Sequence, residues 1–138
     1  MILGNTTVSS ESGYAQRITT ANGHQFTSDE PERRGGTNTG AAPFDLMLSA
    51  LGACTAITMR MYADRKEWPL GAIDVRLRLV KDGDTPMYIE RKITLGETVN
   101  AEQQAKLLEI ADKTPVTKAL APGVPIQTIF DISTHPAR

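Results

Sequence analysis

Apolar and polar positions alternate with a period of two in several stretches of this chain, a pattern typical of β-strands. Between residues 14 and 28, β-favouring residues flank Asn22-Gly23, and an Asn-Gly pair in that setting predicts a hairpin. Alternation over 73–79 and again over 87–95, on either side of a polar turn, predicts a second hairpin or meander. Arg91 interrupts the alternation of its second strand.

The remaining segments predict helices, a loop and a last strand. The glycine-rich stretch 33–40 predicts a flexible loop that leads into an apolar helix from Pro43 to about Lys66. Two shorter helices are expected nearer the C-terminus, and apolar positions over 126–132 predict a closing strand. The first short helix starts at Asn100 in a capping box with Gln103 and turns Ala105, Leu107, Leu108 and Ala111 inward, and the second starts at Thr114-Pro115. The fold class is therefore α+β.

The first four turns of the Pro43 helix are apolar nearly all the way round, so the helix should be covered on every side. One small sheet covers only one face, and we expect a second copy of the chain to bury the other face in a homodimer. Burial by the chain's own C-terminal helices is the alternative. Gly52 lowers helix propensity by about 1 kcal/mol relative to alanine, which predicts that another backbone approaches closely there.

Length and composition narrow the class of protein. A chain of 138 residues with 40% hydrophobic side chains fits one domain over residues 1–138. Its 15 basic and 16 acidic residues are interspersed, which predicts neither a nucleic-acid partner nor a membrane surface. The sequence predicts no signal peptide and no apolar run long enough to span a membrane. We therefore expect a cytoplasmic protein. One cysteine and two histidines without a cluster predict no metal site and no cofactor.

Cys54 is the only cysteine, so any thiol chemistry must use it. A buried lone cysteine is usually inert packing, and a reactive one needs a neighbouring cation, for which arginine is well suited. Asp45 lies nine residues before Cys54, about 180° round an ideal helix and about 13 Å along it, and its simplest role is to complement the helix dipole. The arginines considered as partners of the thiolate are Arg17, Arg33, Arg34, Arg60 and Arg65.

Several blocks of this sequence resemble a known protein family. The block GGTNTGAAPFDLMLSALGACT over 35–55, continued by MRMYADRKEWPL over 59–70, resembles the OsmC/Ohr family of osmotically induced and organic-hydroperoxide-resistance proteins, and more narrowly its OsmC-like branch. Gly23-His24 and Asp29-Glu30-Pro31 upstream and IADKTPV over 110–116 downstream fit the same branch. The likeness covers nearly the whole chain.

The resemblance implies an OsmC-like fold, with antiparallel sheets packed around a buried central helix in an interwoven homodimer. It also implies a thiol peroxidase in which a first cysteine, here Cys54, is oxidised by an organic hydroperoxide. In the family a second cysteine resolves the sulfenic acid to a disulfide, and a dithiol such as a lipoylated protein reduces it. An arginine paired with a glutamate activates the first thiol at the dimer interface.

This chain departs from the family pattern at two positions. Thr114 stands where the family has its second cysteine, so no intramolecular disulfide can form. Thr114 also fits the role of an ordinary helix N-cap. Phe44 stands where the best-known members carry the activating glutamate, and Asp45 follows it. The activating arginine of the family comes from the N-terminal hairpin, where Arg17 is the nearest candidate.

Two functions from different classes remain open. The first is a one-cysteine hydroperoxide reductase in which Cys54 is the nucleophile and Arg17 or a loop arginine stabilises the thiolate. Asp45 orients the arginine, and an external thiol restores Cys54. The second is a non-catalytic protein that binds a small apolar ligand at the dimer interface. In both hypotheses Phe44 and Thr114 line the substrate or ligand pocket.

Overall fold

The computed structural model describes residues 1–131 of the 138-residue chain and has an α+β architecture, as the sequence predicts. A short 3₁₀ turn over Glu32–Arg34 precedes the first helix. The strands and helices are, in chain order, β1 (Thr6–Ser9), β2 (Gln16–Thr20), β3 (Gln25–Ser28), α1 (Pro43–Lys66), β4 (Ile73–Val80), β5 (Tyr88–Leu95), α2 (Ala101–Ala111) and α3 (Pro115–Leu120).

The N-terminal sheet is antiparallel with strand order β1-β2-β3. Its β2–β3 hairpin turns at the predicted Asn-Gly pair, where Gly23 adopts a φ of 88° and donates its N–H to the Thr20 carbonyl at 2.9 Å. Strand β1 pairs Ser9 with Arg17, and sequence analysis missed it because its four residues are too few to display a period.

The second sheet is the predicted hairpin of β4 and β5, paired antiparallel from Ile73 opposite Leu95 to Val80 opposite Tyr88. Helix α1 packs on β4, with α2 and α3 also against it. The core lies in this part of the molecule, and its buried members are Met59, Ala63, Leu70, Leu107 and Ala111.

Helix α1 has the predicted bounds, with Pro43 in its first turn and Glu67 as the left-handed residue after its end. Glu67 adopts a φ of 57° and donates its N–H to the carbonyls of Ala63 and Asp64. Buried residues follow one stripe at helical spacing, as expected for a helix packed on one side. The stripe consists of Leu51, Gly52, Thr55, Met59 and Ala63.

The opposite flank of α1 is open. Ile57 and Met61 expose 59% and 52% of their surface, although α2 and α3 also contact the helix. Within residues 1–131 the helix is therefore not covered on every side, and the chain's own C-terminal helices do not provide the cover. We name the surface around Ile57 and Met61 the open flank.

By length and composition, α1 is also the one described helix that could span a membrane, which the sequence analysis did not expect. The same test is passed by core helices of proteins that cross no membrane. Because one side of α1 packs against β4 and the buried core, we assign it as a core helix.

Gly52 meets a side chain rather than a backbone. A Cβ placed on Gly52 would lie 2.7 Å from Cδ1 of Leu77 on β4. The close approach predicted at this position exists, but the expectation that another backbone causes it is wrong, because the strand reaches the helix through its leucine.

The capping box of α2 is confirmed, since Gln103 N–H donates to Asn100 Oδ1 at 2.8 Å and Asn100 N–H donates to Gln103 Oε1 at 3.0 Å. Leu107 and Ala111 are buried as expected. The inward positions expected for Ala105 and Leu108 are wrong, because both are exposed. Burial on α2 is confined to Leu107 and Ala111, which form a stripe narrower than the apolar face of the helix.

The predicted closing strand does not form within the described residues. From residue 123 to residue 131 the chain has no regular secondary structure, and Ile126 and Phe130 expose 89% and 94% of their surface. A strand needs a hydrogen-bonded neighbour, and no described strand pairs with this segment. Ile132, the last residue of the predicted strand, lies outside the described residues.

Candidate functional site

Cys54 lies on the side of α1 that leads to the open flank. Ile57 and Met61, three and seven residues further on, share this side of the helix and are exposed. Cys54 is a free, partly buried thiol, and its Sγ lies 4.0 Å from the Thr58 hydroxyl. The sulfur therefore has one weak polar neighbour and an apolar approach from outside.

Asp45, the predicted orienting acid, lies in the first turn of α1 and is exposed. It borders a cleft between α1 and β4, and its backbone carbonyl accepts a hydrogen bond from the Ser49 hydroxyl at 2.6 Å. Among residues 1–131 no hydrogen bond joins Asp45 to Cys54. Its position in the first turn fits the role of complementing the helix dipole.

Arg17, the predicted activating arginine, lies on β2 opposite Ser9 and Thr27 and is exposed. In the described part of the chain it forms no ion pair and no hydrogen bond with Cys54. Of the other arginines considered, Arg60 donates to the Gly71 carbonyl at 2.6 Å, which holds it to the loop after α1. A single chain therefore does not bring a predicted arginine to the sulfur.

The two residues predicted to line a pocket lie in different environments. Phe44 is exposed and borders a cleft at the start of α1 together with Arg33 and Arg34. Thr114 is fully buried and caps α3, since its hydroxyl oxygen accepts the Thr117 N–H at 3.3 Å. The helix-cap interpretation of Thr114 is confirmed.

The loop before α1 is held by the buried carboxylate of Asp29. Its Oδ2 accepts the hydroxyl and the backbone N–H of both Thr37 and Thr39, at 2.7 to 3.1 Å, and its Oδ1 accepts the Glu30 N–H at 2.7 Å. The hydroxyls of Thr37 and Thr39, followed by the Thr39 N–H, hold the pKa of Asp29 well below its ordinary 3.8, although desolvation opposes them. We call this arrangement the Asp29 clamp.

Two glycines of this loop allow the chain to fold back on itself. A Cβ on Gly36 would lie 2.0 Å from the Glu30 carbonyl oxygen, and one on Gly40 would lie 2.1 Å from the Thr27 carbonyl oxygen. Both neighbours are backbone atoms, which cannot move aside cheaply. The expectation of a flexible loop is therefore wrong: hydrogen bonds and close backbone contacts fix its path.

Sequence analysis missed the most connected side chain of the second sheet. Arg91 points to the same face of β5 as the apolar residues around it, and only 15% of its side chain is exposed. Its Nη1 donates to the Thr55 and Thr117 hydroxyls, both at 2.9 Å, and its Nη2 donates to Asp112 Oδ1 at 3.3 Å. We call this group the Arg91 network.

A signal for the Arg91 network was present in the sequence. Arg91 occupies an inward position in a strand whose other inward positions are apolar, and a cation placed there needs acceptors. The acceptors lie 36, 26 and 21 residues away along the chain. Their identity therefore became visible only in the fold.

Residues 1–131 contain no group of three or more His, Cys, Asp and Glu side chains placed to hold a metal ion. The chemistry that these residues offer is that of a thiol on an apolar helix flank and of a partly buried arginine beside threonine hydroxyls.

The model of the OsmC-like protein family matches residues 36–129, which is most of the chain. The chain belongs to the OsmC-like protein family. The matched segment contains the whole of α1 with Cys54, both strands of the second sheet and the Arg91 network. The resemblance to the OsmC/Ohr family inferred from the sequence is thereby confirmed.

Solved structures share the OsmC-like fold with this chain. A protein from Psychrobacter arcticus, described in terms of osmotic stress induction and detoxification response, matches with a TM-score of 0.76 at 17% identity, over 88% of this chain and 91% of that one. An organic hydroperoxide resistance protein OsmC from Legionella pneumophila matches with a TM-score of 0.63 at 16% identity, over 88% and 92%. The organic hydroperoxide resistance protein OhrB of Bacillus subtilis matches with a TM-score of 0.58 at 22% identity, over 87% and 91%. No curated protein matches the chain.

Proposed function

We propose that this OsmC-like protein is a thiol-dependent peroxidase of the one-cysteine type, which reduces organic hydroperoxides through Cys54. The observation that carries the proposal is the partly buried, unpaired Cys54 thiol beside the apolar open flank of α1. Structural neighbours that are named as organic hydroperoxide resistance proteins support the choice of substrate class. An apolar approach to the sulfur suits a hydroperoxide with an organic tail.

The reaction balances with one external reagent class. The Cys54 thiolate attacks the terminal oxygen of the hydroperoxide, an S–O bond forms, the O–O bond breaks, and the alkoxide leaves and takes a proton to become an alcohol. The sulfur is then a sulfenic acid. A first external thiol condenses with it and releases water, and a second thiol, or the other half of a dithiol such as a lipoylated protein, releases Cys54 and leaves as the disulfide.

The requirement for an outside thiol follows from the position of Thr114. A hydroxyl cannot form a disulfide. Thr114 is also fully buried, and it forms hydrogen bonds with Thr117. In this proposal Thr114 closes the inner end of the pocket and Phe44 forms part of its outer wall.

The proposal includes a homodimer, in which a second copy covers the open flank. The N-terminal sheet has apolar surface of its own to bury, since Val8 and Phe26 are 56% and 44% exposed. Arg17 lies on that sheet, and a second copy is the remaining way to bring it to Cys54, where it would stabilise the thiolate. Asp45 would orient the arginine from the start of α1. One OsmC-like domain over residues 1–138 and a cytoplasmic location stay predictions.

The first experiment follows the oxidation of the thiol. The protein is treated with one equivalent of cumene hydroperoxide in the presence of dimedone, which traps sulfenic acids, and the adduct is located by peptide mass spectrometry. We expect the adduct on the peptide that contains Cys54. Trapping with dimedone matters because Met61 and Met87 are exposed and also gain oxygen from peroxides, but their sulfoxides do not react with dimedone.

Matched variants complete the test. Cys54→Ser should lose the adduct and the dithiothreitol-dependent consumption of cumene hydroperoxide, whereas Thr58→Val, which removes the hydroxyl nearest to the sulfur, should keep both. Arg17→Lys should slow the oxidation of Cys54 without changing the fold. A Cys54 that resists both the hydroperoxide and iodoacetamide in the folded protein would refute the peroxidase and leave the binding protein as the remaining hypothesis.

A further inference from the structure

Arg91 is held in one orientation by acceptors that are themselves fully engaged. The Thr55 hydroxyl donates to the Leu51 carbonyl at 2.7 Å and accepts from Arg91. The Thr117 hydroxyl donates to the Ala111 carbonyl at 3.1 Å, so the Thr114 hydroxyl is the donor in the 2.7 Å contact between the two threonines. Both N–H groups of Nη1 are thus occupied, and the plane of the guanidinium is fixed.

The other edge of the guanidinium is nearly free. Of the donors on Nε and Nη2, only one has an acceptor among the described residues, and that acceptor is Asp112 at 3.3 Å. Asp112 is 80% exposed, so its ion pair with Arg91 contributes little and is easily displaced. The Nε–Nη2 edge is the pair of parallel donors with which arginine binds a carboxylate at two points.

Arg91 and Asp112, which meet at this edge, both line a cleft with apolar walls. The cleft has a volume of about 510 Å³, within the range of small-molecule sites. Arg91, Asp112 and Thr117 form its polar end. Its apolar walls come from α1, the second sheet and α3, through Leu51, Leu79, Met87, Ile89 and Leu120.

We propose that this cleft binds a small amphipathic monocarboxylate, with the carboxylate on the Nε–Nη2 edge of Arg91 and the apolar tail along the leucine and isoleucine walls. Asp112 already presents a carboxylate to this edge, so the ligand replaces one oxygen acceptor by two. The charge and the walls together select the ligand class, since an arginine at the end of an apolar cleft favours an anion with a hydrocarbon tail. The proposal does not rest on the thiol chemistry proposed for Cys54, although Thr114, which that chemistry places at the inner end of its pocket, is bonded to Thr117 of this cleft.

Calorimetric titration of the full chain tests the proposal, with octanoate as the probe and 1-octanol as its uncharged counterpart. We expect saturable binding of octanoate, about tenfold or more tighter than that of octanol, because a paired hydrogen bond to a charged group is lost with the alcohol. Equal affinities for the two probes, or no octanoate binding because a second copy closes the cleft, would overturn the proposal.

Two substitutions locate the site without removing its cation. Asp112→Asn should tighten octanoate binding roughly two- to fivefold, because it removes a competing carboxylate from a weak exposed pair. Arg91→Lys keeps the charge but lacks the two-point fork, and it should weaken binding about tenfold. Because Arg91→Lys also disturbs the threonine contacts, the melting temperature of this variant is measured together with its affinity. A further variant, Ala121→Trp, narrows the cleft from its exposed rim and should abolish binding.

Controls separate this site from the thiol and from general charge effects. Glu102→Gln removes the same charge as Asp112→Asn at the exposed start of α2, and it should leave octanoate binding unchanged. Cys54→Ser should likewise bind octanoate as the parent protein does, even if peroxide reduction is lost. An affinity that follows Cys54→Ser or Glu102→Gln rather than Asp112→Asn would refute the assignment to Arg91.

Discussion

Asp29 and Arg91 are two largely buried charges that the fold satisfies in different ways. Asp29 receives five hydrogen bonds, all from its own loop, and forms no ion pair among residues 1–131. Arg91 meets two threonine hydroxyls from distant helices and one exposed carboxylate, and two of its N–H donors have no acceptor among residues 1–131. A saturated charge organises its own segment, whereas an unsaturated charge in a cleft is available to a ligand.

The largest expected effect comes from removing the Asp29 carboxylate. Asp29→Ala leaves five donors of the loop without their acceptor, and we expect the melting temperature to fall by several degrees, with early proteolytic cleavage between residues 30 and 41. Asp29→Asn, which retains one acceptor oxygen, should lose less. If Asp29→Ala melted like the parent protein, the Asp29 clamp would not organise the loop.

Acid should reproduce part of that loss. The pKa of Asp29 is lowered in the folded state, so its contribution to stability is complete above its ordinary pKa of 3.8 and is lost progressively as the pH falls below that value. Chemical unfolding measured between pH 6 and pH 2 should show a steeper acid decline for the parent protein than for Asp29→Asn. Parallel curves would contradict the assignment.

A smaller effect is expected in the Arg91 network. Thr117→Val keeps the shape of the side chain but removes an acceptor of Arg91 and of Thr114, and should lower the free energy of unfolding by about 1 kcal/mol. Thr94 is an exposed residue on the same strand as Arg91, and Thr94→Val is the matched control. It should change the free energy of unfolding little. Urea unfolding of the two variants decides whether the network stabilises the fold.

The smallest effect is expected at Gly52, which touches neither charge. Gly52→Ala gains about 1 kcal/mol of helix propensity, and the new Cβ forces the end of the Leu77 side chain aside. The two contributions oppose each other, so the free energy of unfolding should change by less than about 1 kcal/mol. A large loss would show that Leu77 cannot move and that the contact between α1 and β4 is rigid.

The comparison of the two charges also explains what the sequence could predict. Signals carried by neighbouring residues were sufficient for α1, with Pro43 at its start, for both hairpins and for the cap at Asn100. The Asp29 clamp brings together residues eight and ten positions apart in a glycine-rich stretch that has no period. The partners of Arg91 lie still farther away, so a fold is needed to identify them.

The candidate site was predictable only as far as its thiol. Cys54 could be named because it is the only thiol and because the surrounding block resembles a family. Arg17 and Asp45 were chosen by position in the chain, and neither contacts Cys54 within one copy. Apolar alternation predicted a strand over 126–132, but alternation does not supply the neighbouring strand that a sheet requires.

The open flank of α1 and the exposed apolar segment that ends the described chain bear on how the stability of the protein depends on its concentration. If a second copy buries these surfaces, folding and association are one equilibrium, and its position depends on protein concentration. The melting temperature of this protein should then rise with concentration. Dilution alone should separate the two copies and expose the apolar surface beside Cys54 to water. The number of copies in the cell would thus help to set how much of the thiol is held in a working site.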